Sequence, residues 1–116
     1  MHNYKKLQVW HKSMEFAETV YLLTTNFPTE ERFGLSSQLR RASISIPSNI
    51  AEGAGRESSK AFNQFLGYAV GSGYEVETQL LLAKRIKIVN DTDIDSLLEQ
   101  LSQILKMLYK LRKNLK

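Results

Sequence analysis

The segment Gly53–Lys60, GAGRESSK, carries the residue types that come closest to a phosphate-binding loop in this 116-residue chain. Glycine-rich loops bind phosphate through backbone N–H groups, and the lysine of a P-loop follows directly after a glycine. Here Ser59 stands before Lys60, and no strand rich in valine and isoleucine precedes the segment. The spacing therefore favours one helix that ends at Gly53 and Gly55, followed by a second that Ser58 caps.

An acidic run, Asp91–Asp95, resembles the first half of a calcium-binding loop. Such a loop needs glycine at its sixth position and glutamate at its twelfth. The chain has Ser96 and Ser102 at those positions. The acids instead suit the first turn of a helix, where the helix dipole favours negative charge. We predict a helix start there and no metal site.

Side chains that could catalyse a reaction are present, but their spacing does not match a known mechanism. His2 and His11 are the only histidines, and neither belongs to an HExxH motif. No GxSxG motif surrounds a serine, and the absence of cysteine excludes disulfides and thiol chemistry. We predict no enzymatic activity, no metal and no cofactor. An enzyme would require a polar pocket with perturbed titratable groups, and convergence of Arg41, Glu52 and Glu75 on a cavity would favour one.

The lysine and arginine side chains are the candidates for a binding function, because their positive charges can contact phosphate. Sixteen of them against 12 acids give a formal net charge of +4, which hints at a polyanionic partner. The last eleven residues hold five cations and no acid, and Lys116 is one of the five. The predicted nucleic-acid-binding residues are Arg40, Arg41, Arg56, Lys60, Lys106, Lys110 and Lys113.

These cations also have an ordinary interpretation. Lys106, Lys110 and Lys113 follow i, i+4, i+7 spacing, so they share one helix face, opposite the apolar seam. Such a face can simply be solvated, and cations suit the C-terminus of a helix. Arg56 and Lys60 could form ion pairs with Glu52 or Glu57. Both interpretations remain open from the residues alone.

Apolar spacing predicts four helices, at roughly 7–26, 36–53, 58–87 and 92–114. The last has an unbroken heptad seam from Ile94 to Leu115. Pro47 falls inside the second, and because proline lacks a backbone donor and clashes with the preceding turn, we predict a kink there. Four such helices with short connections predict an all-α, antiparallel up-down four-helix bundle, as a single domain over residues 1–116.

The first helix predicts that copies of this bundle associate, and the third predicts a close helix–helix contact. The first helix has two apolar stripes, and the second stripe, with Trp10, Met14 and Tyr21, exceeds what one internal seam needs. The third contains Gly67, Gly71 and Gly73, each costing about 1 kcal/mol relative to alanine, so we expect close helix–helix contact. No apolar run approaches about 18 residues, and no signal-like core begins the chain. We expect a cytoplasmic protein with no membrane partner.

Three blocks occur in order along the chain: LQVWHK at 7–12, FGLSSQLRRA at 33–42 and SIPSNIAEGAGR at 45–56. With them, residues 5–87 resemble the four-helix-bundle proteins encoded in intervening sequences of bacterial large-subunit ribosomal RNA genes. That family includes the accessory variability determinant proteins of diversity-generating retroelements. The resemblance implies a ring, with pentamers known. It also implies, for accessory variability members, binding to nucleic acid and to a reverse transcriptase. It brings no catalytic residues.

Two functions are compatible with these observations. The first is a non-enzymatic homo-oligomer, expected to be a pentamer, that binds RNA or DNA through phosphate contacts without sequence specificity. Five copies at +4 each would carry +20, a strong field for a polyanion. The alternative is a ring-shaped protein-interaction scaffold with no nucleic-acid role, whose partner could be a reverse transcriptase.

Overall fold

The structure is a computed structural model that describes residues 2–115. The predicted bounds of all four helices agree with the observed ones to within two residues, and the all-α prediction is confirmed. One-turn 3-10 helices lie at Tyr4–Lys6 and Thr29–Glu31. The α-helices are α1 (Gln8–Thr24), α2 (Leu35–Ala54), α3 (Ser59–Ile86) and α4 (Asp91–Asn114).

Contacts between helix ends show an antiparallel arrangement. Arg40, near the start of α2, donates to Thr24 at the end of α1. Lys84, near the end of α3, donates to Asp95 in the first turns of α4. Each helix packs against the one before it, and α1 also packs against α4, which closes a bundle of about 44 × 23 × 19 Å. Within residues 2–115 no helix is both long and apolar enough to cross a membrane.

The core is formed by the predicted seams. On α3 every buried residue falls at the predicted four-and-three spacing, from Phe62 to Ala83. On α4 the seam is buried from Ile94 to Leu108, and Leu111 and Leu115 pack half-buried at its end. Burying each such large side chain contributes about 1.5–3 kcal/mol. The heptad spacing therefore decides which face of α4 packs against α1 and α3.

Helix α2 continues through Pro47 without a break, from Leu35 to Ala54. The proline costs about 3 kcal/mol in a helix interior. Leu39, Ile46 and Ile50 are fully buried on the same helix, and together they contribute more than that cost. Tertiary packing therefore keeps α2 helical on both sides of the proline, and the predicted kink stays a prediction.

The glycines of α3 differ in what surrounds them. A Cβ on Gly73 would lie 2.7 Å from Leu105 Cδ2 on α4, which confirms the expected close contact there. A Cβ on Gly67 would lie 3.3 Å from a guanidinium nitrogen of Arg112. A Cβ on Gly71 would have no atom of another part of the bundle within 4 Å. The expectation of close packing is therefore wrong for Gly71 within the bundle, because this position faces outward.

Candidate nucleic-acid interface

The antiparallel arrangement separates the seven predicted cations. Five lie toward the end of the bundle where α2 ends, α3 begins and α4 ends. Arg40 and Arg41 lie in the first third of α2, toward the opposite end. The structure therefore does not bring these two to the others. The five cations that share one end are Arg56, Lys60, Lys106, Lys110 and Lys113.

Charge as a whole is divided along the bundle axis. Cutting each helix at its midpoint gives a basic half, which consists of residues 2–16, 45–72 and 103–115. This half holds nine Lys and Arg against three Asp and Glu. The other half, residues 17–44 and 73–102, holds six against nine. The formal charges are thus +6 and −3. The fold therefore converts a mildly basic chain into a bundle with one strongly basic end. Lys116, in the predicted basic run, lies outside the described residues.

Three lysines on α4 are the least constrained cations of the basic half. Lys106, Lys110 and Lys113 are exposed on one side of the helix, as their spacing predicts. In residues 2–115 the ion pairs are Arg56–Glu52 and Lys84–Asp95, and neither involves these lysines. Their ammonium groups therefore remain available to a phosphate. Lys60, in the first turn of α3, is also exposed.

Arg56 is partly engaged within the chain. Its Nη2 lies 3.4 Å from Glu52 Oε1, so the predicted ordinary alternative, an ion pair with Glu52, is confirmed for this residue. Its guanidinium also lies 4.7 Å from the centre of the Phe65 ring. The side chains of Arg56 and Glu52 both remain about half-exposed, and exposed ion pairs of this kind contribute little to stability. Arg56 can therefore exchange Glu52 for a phosphate at small cost.

Arg40 makes more contacts within the bundle than Arg56 does. Its Nε donates to Thr24 Oγ1 at 2.8 Å, and its Nη2 donates to the Tyr21 carbonyl at 3.3 Å. The guanidinium also lies 4.5 Å from the centre of the Tyr21 ring. These contacts join the start of α2 to the end of α1. Its neighbour Arg41 is exposed, so the adjacent arginines have different surroundings.

Sequence reasoning did not include Arg112 among the candidate residues. Its Nε donates to Asn63 Oδ1 at 2.9 Å, and its guanidinium covers Gly67. The sequence feature that could have identified Arg112 is Gly67. Because position 67 has no side chain, α3 leaves room there for a planar group from the last turns of α4. Arg112 therefore adds a fixed cation to the basic half.

An apolar groove lies between α1 and α2, in the region that the second stripe of α1 predicted. Its volume is about 670 Å³. Leu22 at its rim is 71% exposed, and Met14, Tyr21 and Ile44 are also exposed. Exposed apolar side chains that cluster in one groove are typical of an interaction site. The residues of this groove are Tyr4, Trp10, Met14, Ala17, Glu18, Tyr21, Leu22, Ile44, Pro47, Ser48 and Ala51.

Arg41, Glu52 and Glu75 do not converge on one cavity. Arg41 and Glu52 are eleven residues apart on one helix, which separates them by about 16 Å along its axis. Glu75 is exposed on α3. In the part of the chain that the structure describes, no three His, Asp or Glu side chains could hold a metal ion together.

Comparisons with known proteins agree with this architecture. Residues 5–110 match the family described as 23S rRNA-intervening sequence protein. The fold is similar to the crystal structure of a protein with unknown function from the S23 ribosomal protein family of Bacteroides thetaiotaomicron. The TM-score is 0.85 and the identity is 29%, over 91% of this chain and 96% of that chain. Comparison with curated proteins finds no similar sequence.

Proposed function

The chain belongs to the 23S rRNA-intervening sequence protein family, and on this premise we propose that it is a non-enzymatic, pentameric ring that binds nucleic acid in the cytoplasm. Binding uses phosphate contacts and has no sequence specificity. The observation that supports this most directly is the basic half, with nine cations against three acids. Phosphate contacts give affinity without reading bases, and exposed lysines on one helix face are suited to that task.

Self-association is supported by two different apolar surfaces. One is the groove between α1 and α2. The other consists of Leu81, Leu82 and Ile86, which are all nearly half-exposed toward the end of α3. When two different surfaces of one chain are complementary, the contact is head-to-tail, and repeating it closes a ring if the rotation allows. We propose that the groove of one copy receives the α3 surface of the next.

A ring concentrates the charge. Rotation about a ring axis keeps every copy pointing the same way along that axis. Unless the bundles lie flat in the plane of the ring, all basic halves face the same side. A weak charge on each copy becomes a continuous basic surface, and a field of that size attracts polyanions over distances near the Debye length.

Fluorescence anisotropy with a labelled RNA oligonucleotide, titrated at several salt concentrations, tests the proposal. Affinity should fall as salt rises. Each phosphate contact should contribute about −0.7 to −0.9 to the slope of log affinity against log salt. Scrambling the oligonucleotide sequence should leave affinity unchanged. Absence of binding at low salt would eliminate the nucleic-acid function.

A second candidate function is a scaffold for a partner protein, such as the reverse transcriptase that the family resemblance implies. The observation in its favour is the apolar groove, which phosphate binding does not use. If assembly leaves the groove open, a partner helix could occupy it. A partner that stays bound after nuclease treatment and at moderate salt would favour this function over the first.

A further inference from the structure

A second groove, between α3 and α4, combines aromatic and cationic side chains. Its volume is about 380 Å³, within the range of about 300–1,000 Å³ that small-molecule sites occupy. Tyr74 comes from α3 and Tyr109 from α4, and their exposures are 56% and 62%. Leu105 contributes to the apolar floor, and Lys113 and Arg112 line the groove as well.

Packing within the bundle does not explain the presence of Tyr74 and Tyr109. The core positions of α3 and α4 belong to other residues, and neither tyrosine is among those that pack against the core. Two large aromatic side chains thus expose most of their surface beside the same groove. Aromatic rings in such a place offer flat faces for stacking, and tyrosine combines such a face with a polar hydroxyl.

The polar groups of the groove suit an anionic ligand with hydrogen-bond acceptors. Its lining contains two cations, Arg112 and Lys113, and no carboxylate. Asn63 Oδ1 accepts from Arg112 Nε at 2.9 Å. Because this bond uses the amide oxygen, it fixes the orientation of the amide and leaves its nitrogen as a donor.

The geometry points to a binding site for an unpaired base of single-stranded nucleic acid, with the base stacked on Tyr74 and Tyr109. The adjacent backbone phosphates lie on Lys113 and the exposed lysines of α4. This inference rests on the proposed function and deepens it, since phosphate contacts alone do not distinguish single strands from duplexes. In a duplex both faces of each base are covered by neighbouring bases, whereas an unpaired base can stack on an aromatic side chain.

Competition between strand forms tests the inference. The probe is a fluorescent oligouridine of twelve nucleotides, and the comparator is the same strand annealed to its complement. We expect the native protein to prefer the single strand. Tyr109→Ala and Tyr74→Ala should each weaken single-strand binding by about 5- to 100-fold, while duplex affinity stays unchanged. Tyr109→Phe should retain most of the affinity because the ring remains.

Tyr68→Ala is the matched control, because Tyr68 is 50% exposed on α3 but does not line the groove. Light scattering of each variant confirms that its assembly is unchanged. The inference is overturned if both alanine variants bind the single strand like the native protein, or if Tyr68→Ala is equally weak. It is also overturned if the native protein binds both strand forms equally. Absence of binding to either form at low salt would instead refute the proposed function itself.

Discussion

Adjacent residues can have entirely different roles, and Arg40 and Arg41 show why. One helical residue corresponds to about 100° of rotation, so the two side chains leave α2 in different directions. Arg40 reaches α1 and donates to Thr24 and the Tyr21 carbonyl. Arg41 points to solvent. Their adjacency in a helix implies different directions, but it does not tell which arginine faces the neighbouring helix.

Alanine substitutions separate these roles. We expect Arg40→Ala to lower the free energy of unfolding by about 1–2 kcal/mol, since it removes a hydrogen bond to a buried hydroxyl and a cation–π contact. Arg41→Ala, the matched control, should change it by less than about 0.5 kcal/mol, as is usual for exposed residues. Urea denaturation measures both. Equal losses in the two variants would show that Arg40 does not join the helices as described.

A second prediction at this scale concerns Lys84. The hydrogen bond from Lys84 Nζ to Asp95 Oδ1, with the charge of Asp95, raises the pKa of Lys84 above its usual 10.5. A folded-state pKa above the unfolded value stabilises the protein fully below about pH 10.5, and the contribution is lost as pH rises through the folded pKa.

NMR titration of the Lys84 ammonium checks this direction. Its midpoint should lie at higher pH in the native protein than in Asp95→Asn, which keeps the shape of the side chain but removes its charge. The stability difference between these two proteins should shrink above pH 10.5. An identical midpoint in both proteins would show that the ion pair does not persist in solution.

At the scale of helices, the contact between α2 and α3 depends on a glycine. A Cβ on Gly53 would lie 2.6 Å from Phe65 Cβ and 3.0 Å from Phe62 Cδ1. These atoms belong to the first turns of α3 and have little freedom to move. The contact allows α2 to end against α3, so the short connection of residues 55–58 can reverse the chain.

Two glycine-to-alanine changes should therefore have opposite effects. Gly53→Ala should destabilise the protein by about 1–3 kcal/mol, the range for overpacking. Gly71→Ala meets no neighbouring atom in the bundle, so it should stabilise the protein by about 1 kcal/mol through helix propensity. Thermal denaturation followed by circular dichroism compares them. A destabilising Gly71→Ala would show that another surface covers this position in solution.

The helices were predictable because their seams repeat. The spacing from Phe62 to Ala83 on α3 and from Ile94 to Leu108 on α4 corresponds to the observed core. The features that could not be predicted depend on contacts between residues that are distant in the sequence. The bond between Asn63 and Arg112 joins residues 49 apart, and the outward direction of Gly71 depends on where α4 lies. The separation of Arg40 and Arg41 from the other cations, by contrast, follows from the predicted antiparallel order, because these two lie near the start of α2.

At the scale of the whole molecule, the uneven charge and the exposed apolar groove belong to one account. Apolar surface left open on a small bundle favours association, and association in a ring brings the basic halves together. The basic half of one copy carries a formal charge of +6, and a ring places several such halves side by side. We therefore expect tight binding of nucleic acid to require the oligomer.

A charge placed in the groove tests assembly. Ile44→Glu puts a carboxylate among the apolar residues that line it, and burying that charge at an interface is costly. We expect size-exclusion chromatography with light scattering to show smaller species than the native protein. Gln103→Glu adds the same charge on exposed α4 and should leave the assembly intact. A native protein that is monomeric at micromolar concentration would contradict the ring.

The most direct test of the account compares two triple variants that each remove three positive charges. One is Lys106→Gln, Lys110→Gln, Lys113→Gln in the basic half, and the other is Arg32→Gln, Arg85→Gln, Lys87→Gln in the opposite half. RNA affinity is measured by anisotropy at two salt concentrations. The account predicts that the first variant loses most of its affinity and that its salt slope becomes shallower by about 0.7–0.9 for each lost phosphate contact. The second should stay close to the native protein. Equal affinities in the two variants would contradict the claim that one basic end of the bundle binds nucleic acid.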